Sequence, residues 1–345
     1  MTISVVALDR LRHVEHDARL EAGARNVVQH CLGLGPGKSL VLVAEQTDAI
    51  EPIAEAYLRE AEAVGATVHA YLVTEAHAGV ESFVQRLRAR LVDADASLLV
   101  CTLAGLPLSF RRAIAEAGGA RRRHGHMVDA SAGVMQQSLR ADLRELHALG
   151  ERLLARLRVG GALEVCTSTG TSLRVQLAPG AYWRHESGLL EGPGWVNLPP
   201  GEVGTTPVSV DGVVVPDAVW LDARGELSRA PRLRLGFEGG RLTAIEGRDA
   251  DAIDALRSTV DADEQGRRVG HVGLGTNVSV LTPVGALLQD QKMPGVSITL
   301  GQPLTGSGAA WSSCVQVPVL IRRPDVSLDG SPILVRGRYV PAIAG

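Results

Sequence analysis

Apolar and polar positions follow two different rhythms along this chain, and the change falls near residue 158. From about residue 8 to Cys31, apolar residues recur at helical spacing through LRHVEHDARLEAGARNVVQHCL, and GLGPG then stops the run. SLVLVAE predicts a strand, a helix from about Ala49 to Val64 ends at Gly65, and TVHAYLV predicts a second strand. A helix over roughly Gly79 to Leu91 leads to SLLVCTL, whose unbroken apolar run suits a strand buried on both faces. SFRRAIAEAGG predicts a further helix and HGHMVDA a short strand. Strands that alternate with helices imply a parallel sheet covered on both sides.

Past a helix of about Leu139 to Leu157, short strands with glycine-centred turns take over. ALEVCTSTGTSLRVQL and RLRLGFEGGRLTAIEG each predict a hairpin, with a helix of roughly Ala250 to Val260 after the second. The expected fold class is α/β: a doubly wound, Rossmann-like parallel-sheet domain over residues 1–157, then a β-rich, α+β domain over residues 158–345. No internal repeat is visible.

Composition narrows the functional classes. The 345 residues suit about two domains, and 45% apolar with 21% charged residues is ordinary for a soluble globular protein. Only 3% are aromatic, which argues against a nucleic-acid surface of stacking rings. The 35 basic against 38 acidic residues, net charge -3, offer no general pull on nucleic acid or anionic lipid. Cys31, Cys101, Cys166 and Cys314 form no CxxC pair, no apolar run reaches the roughly 18 residues of a membrane span, and the N-terminus lacks the order of a signal peptide. The expectation is a cytoplasmic protein with a small-molecule substrate and neither nucleic acid nor membrane as partner.

Two motifs carry less than they promise. GPGKS, Gly35 to Ser39, looks like the end of a phosphate loop, but Leu32 stands where the first glycine belongs and the helix precedes the strand, so a plain turn is expected. In RRRHGH, Arg121 to His126, the two histidines alternate as strand neighbours and face one side, without a nearby carboxylate to complete a metal site.

Four segments of the second domain are more informative: NLPPGEVGTTP (Asn197 to Pro207), VGHVGLGTN (Val269 to Asn277), DQKMPGVSITLG (Asp290 to Gly301) and SSCVQVPVLIRRPDVSLDGSP (Ser312 to Pro332). In this order they resemble the thermophilic, aminopeptidase T-like metallopeptidases and their relative 2,5-dihydroxypyridine 5,6-dioxygenase. GTSLRVQL upstream resembles the same family's GTDL hairpin, so the resemblance covers most of the chain.

Carried over residue by residue, the resemblance implies that Glu202 matches the first metal-binding carboxylate. His271 stands where the peptidases have a glutamate and the dioxygenase an iron-binding histidine. Lys292 matches a family lysine, Ser297 replaces a family histidine, and the H-x-D pair falls on Val315 and Val317. A catalytic zinc site takes about three protein ligands and a non-haem iron oxygenase two histidines and a carboxylate; Glu202 and His271 make two. His185, Glu186 and Glu191 in the preceding loop are candidates for a third.

The expectation is therefore an enzyme without a cofactor, in which Glu202 and His271 carry out acid–base catalysis on a small amine, amino-acid-like or N-heterocyclic substrate. Condensation or cyclisation, isomerisation and hydrolysis are the reaction types within its reach. Lys292, His185, Asn277, Ser297, Val315 and Val317 are the expected substrate-binding residues. The alternatives are a divergent metal-dependent aminopeptidase or Fe(II) ring-cleaving dioxygenase, with zinc or iron held by Glu202 and His271, and a non-catalytic binding protein. The resemblance also implies a homodimer.

Overall fold

A computed structural model describes residues 3–79, 81–117, 121–222, 225–228 and 233–345. Val80, Gly118, Gly119 and Arg232, which the expected elements included, lie outside the described residues. The chain forms two compact units. The first comprises residues 1–144, 186–200 and 279–290, and the second residues 145–185, 201–278 and 291–345. The division thus falls earlier than the expected 157/158 boundary, and two later segments return to the first unit.

In the first unit five parallel strands lie in the order Thr67–Val73, Ser39–Glu45, Ala96–Cys101, Arg123–Val128, Gly194–Asn197. Period-two alternation sends Leu40, Leu42 and Ala44 into one apolar core and Val41 and Val43 into another, so the sheet is covered on both faces. Helices Glu51–Ala63 and Glu81–Asp93 each bury one side, the first in the former core and the second in the latter. The expected long first helix is instead broken: Ile3–Arg12 is α-helical, and Asp17 caps a new start at Ala18 by accepting the Arg19 N–H. GPGKS is a turn, where Asp95 binds both Lys38 Nζ at 2.9 Å and the Ser39 N–H.

The two strand histidines do share a face. His124 Nδ1 is hydrogen-bonded to Ser97 Oγ at 2.7 Å, His124 Nε2 lies 3.3 Å from His126 Nδ1, and the Trp195 ring packs against both. Among the described residues, no group of three or more His, Cys, Asp or Glu side chains is placed to hold a metal ion.

The second unit holds two sheets among the described residues. Both expected hairpins form, Gly161–Cys166 with Ser172–Leu177 and Leu233–Glu238 with Arg241–Gly247, and they belong to an eight-stranded sheet. The other sheet runs Gly225–Ser228, Ala218–Asp222, Gln316–Arg322, Gly295–Gly301, Val269–Gly275, Glu202–Thr205, Arg184–Glu186. Val165, Val175 and Phe237 from the first sheet meet Val272, Ile298 and Val317 from the second in one apolar core. No described helix is long and apolar enough to cross a membrane.

Two outcomes follow. Ile298→Ala, at a fully buried position, should lower the unfolding free energy by about 2–5 kcal/mol in urea titration. Burial, helped by the charge of Arg111, depresses the His126 imidazole to about 4. With the folded value below the ordinary 6.5, the unfolded chain binds the proton first. Stability is therefore complete above about 6.5 and lost as pH falls toward 4. His126→Asn should flatten that part of the stability–pH curve; an unchanged curve would assign the acid lability elsewhere.

Candidate functional site

Three neighbouring strands of the seven-stranded sheet build the site. In their register Gly275 faces Glu202, Gly273 faces both Gly204 and Ser297, and His271 faces Thr299. Residues directly opposite share a face, so Glu202, His271, Ser297 and Thr299 stand on one side of the sheet. Val203, Val272, Leu274, Val296, Ile298 and Leu300 point the other way into the core. The segments EVG, HVGLG and GVSITLG thus alternate polar or small residues on the site face with apolar residues beneath.

Glu202 and His271 are diagonal neighbours across the glycine pair Gly204 and Gly273, and those glycines are what allows them to approach. A methyl group on Gly273 would lie 2.2 Å from Glu202 Oε1 and 2.7 Å from Ser297 Oγ; one on Gly204 would lie 2.0 Å from His271 Nε2. The carboxyl and the imidazole therefore lie flat over backbone. Glu202 is 2% exposed and His271 7%.

The Glu202 carboxylate divides its two oxygens. Oε2 accepts a hydrogen bond from Lys292 Nζ at 2.5 Å, and the lysine is itself buried at 3%. Oε1 stands 3.2 Å from His271 Nε2, a distance that suits electrostatic contact, yet no donor among the described residues is aligned for a hydrogen bond to it. The carboxylate thus has an ammonium on one oxygen and an imidazole beside the other. Gln291 Nε2 donates to Ser297 Oγ at 3.4 Å, and the serine is buried opposite Gly273.

The other expected residues divide into those brought to this place and those that are not. Asn277 is: its N–H donates to the Lys292 carbonyl, and its Cβ packs on Gly201, beside Glu202. His185 is engaged with the helix Leu143–Leu157, where its Nδ1 pairs with Glu151 at 2.9 Å and its ring stacks on His147. Burial lowers the affinity of His185 for a proton, opposed by Glu151.

Val315 and Val317 do not line the site. Both belong to the apolar core of the second unit, and Val317 faces Leu300 across the strands. On that strand the positions sharing the site face are Gln316, Pro318 and Leu320, opposite Gly301, Thr299 and Ser297. Alternation along the strand puts Val315 and Val317 on the core face, opposite to the site. Residues missed from the sequence are Gly204, Gly273 and Thr299; the two-residue alternation of GVSITLG carried the signal for the last.

The family resemblance implies a zinc or iron ion, and the described residues around Glu202 do not fit one. Glu202 and His271 supply two donors, short of the roughly three protein ligands such sites take. Pro318 has no donor group, Gln316 offers only a neutral amide, and the Lys292 ammonium beside Glu202 opposes a second cation.

A five-stranded parallel sheet with a separate antiparallel β region is an aminopeptidase-like two-domain fold. The chain belongs to the family described as NicX, 2,5-dihydroxypyridine 5,6-dioxygenase, whose profile matches residues 20–341. Among solved structures it is similar to AmpT from Thermus thermophilus, with 21% identity, a TM-score of 0.69, and coverage of 93% of this chain and 99% of that one. It is also similar to 2,5-dihydroxypyridine dioxygenase from Pseudomonas putida KT2440, with 18% identity, a TM-score of 0.67, and coverage of 93% and 97%. A search of curated proteins found no match.

Gly273→Ala should cost about 1–3 kcal/mol by crowding and displace the Glu202 carboxylate. Thermal unfolding and a crystal structure of the variant check this; an unmoved Glu202 would refute the packing account.

Proposed function

We propose that this protein is a metal-independent enzyme on an aminopeptidase-like scaffold, with Glu202 and His271 as its acid–base pair. The observation that carries the reading is the 3.2 Å approach of His271 Nε2 to Glu202 Oε1, while Lys292 holds the other oxygen at 2.5 Å. Oε1 receives a proton from a substrate N–H, O–H or bound water, and His271 Nε2 returns one to the atom where negative charge develops. Burial excludes bulk water, so a proton removed by one group reaches the other rather than solvent. Ser297 and Thr299 add hydroxyls on the same face.

By analogy with the family, the substrate is a small amine, amino-acid-like or N-heterocyclic compound. The reaction is a condensation or cyclisation, an isomerisation, or the hydrolysis of an activated bond. We carry the homodimer as part of this proposal, with light scattering as its check.

One observation favours a second reading, a metal-dependent aminopeptidase or ring-cleaving dioxygenase. Two ligands of a tetrahedral ion with bonds of about 2.0–2.1 Å stand about 3.3 Å apart, close to the separation of Oε1 and Nε2. Elemental analysis of the purified protein and turnover screening with and without chelator separate the two readings. The expected result is less than one tenth of a zinc or iron ion per chain and turnover unaffected by chelator. Glu202→Gln and His271→Ala should each lower kcat by about 10²–10⁴-fold. One tightly bound ion per chain, with turnover lost on its removal, would overturn the proposal.

A further inference from the structure

Glu202 is held in a closed circuit of contacts drawn from three distant segments. Its Oε2 accepts from Lys292 Nζ; the Lys292 carbonyl accepts the Asn277 N–H at 2.9 Å; and the neighbouring Thr276 N–H donates to the Gly201 carbonyl at 2.8 Å. Gly201 precedes Glu202 in the chain, which closes the ring. Gly201 has φ +124°, and a methyl group there would meet the Asn277 Cβ at 2.5 Å, so the circuit leaves no room for a side chain at that corner. Lys292 is 3% exposed, and Thr276 and Asn277 are fully buried.

A carboxylate on its own has two equivalent oxygens and a broad terminal torsion. An ammonium that grips one oxygen from a fixed backbone makes the two oxygens different. Here the gripped oxygen is Oε2, and the oxygen left toward His271 is Oε1.

We propose that Lys292 is a positioning residue: it acts through Glu202, presenting Oε1 to His271, in place of the substrate-binding role expected from sequence. The proposal rests on the proton-transfer reading of the Glu202–His271 pair. Its geometric part is nevertheless measurable without a substrate.

The chain has only two lysines, which makes the test direct. Lys38 has a side chain 54% exposed, whereas Lys292 is enclosed. In protein labelled with ¹⁵N at lysine Nζ, the expected result is one ammonium resonance protected from exchange with water. It should vanish in Lys292→Met and shift in Glu202→Gln, a nearly isosteric change that keeps the wild-type lysine and serves if Lys292→Met fails to fold. The imidazole ¹⁵N resonances of His271 should move in Lys292→Met as well. A protected resonance indifferent to Glu202→Gln, or His271 signals indifferent to loss of Lys292, would overturn the proposal.

Once a turned-over substrate is identified, Lys292→Met should lower kcat about tenfold or more with KM nearly unchanged. A rise in KM at constant kcat would return Lys292 to substrate binding. An active His271→Ala variant would defeat the acid–base reading while leaving the lysine resonance results intact, so the two failures are distinguishable.

Discussion

A carboxylate almost wholly removed from water has to be compensated where it stands, and the second unit is organised around that requirement at Glu202. Removing a carboxylate from water costs several kcal/mol after relaxation, and deleting one partner of a buried pair typically costs about 3–5 kcal/mol. Lys292 supplies the compensation, at the end of a turn tied back to Asn277. The glycines at 204 and 273 follow from the same need, because a side chain at either would push the carboxyl or the imidazole off the sheet. Charge and shape thus constrain the same few positions.

The sheet that carries the site has a division of labour between its faces. Beneath it, Val272, Ile298, Val317 and Val319 join a continuous apolar core that fixes the strands. Above it stand the groups with chemistry. Because each strand supplies both, a change of a single core residue and a change of a single site residue lie only one position apart in sequence, yet act on opposite sides. Stability and reactivity are separable here by parity along the strand.

That parity explains what the sequence disclosed and what it withheld. The parallel sheet of the first unit was legible because strands such as Ser39–Glu45 and Ala96–Cys101 are apolar runs separated by helical periods and glycine stops. The hairpins were legible from their turns. The face of Val317 was written in the alternation of QVPVLI, which the expected substrate-binding role did not take into account. Lys292 and Glu202 are 90 residues apart, and no local pattern says that they meet. The return of residues 186–200 and 279–290 to the first unit is equally invisible to local periodicity, because it is a property of the folded path.

The fifth strand of the parallel sheet, Gly194–Asn197, comes from one of those returning segments and pairs with Arg123–Val128. A nascent chain leaving the ribosome therefore cannot complete this sheet when its first 150 residues have emerged. Until some fifty more follow, Arg123–Val128 presents a bare edge, a template for pairing with other chains. Synthesis therefore has to enter the β-rich sequence before the edge of the opening sheet is covered.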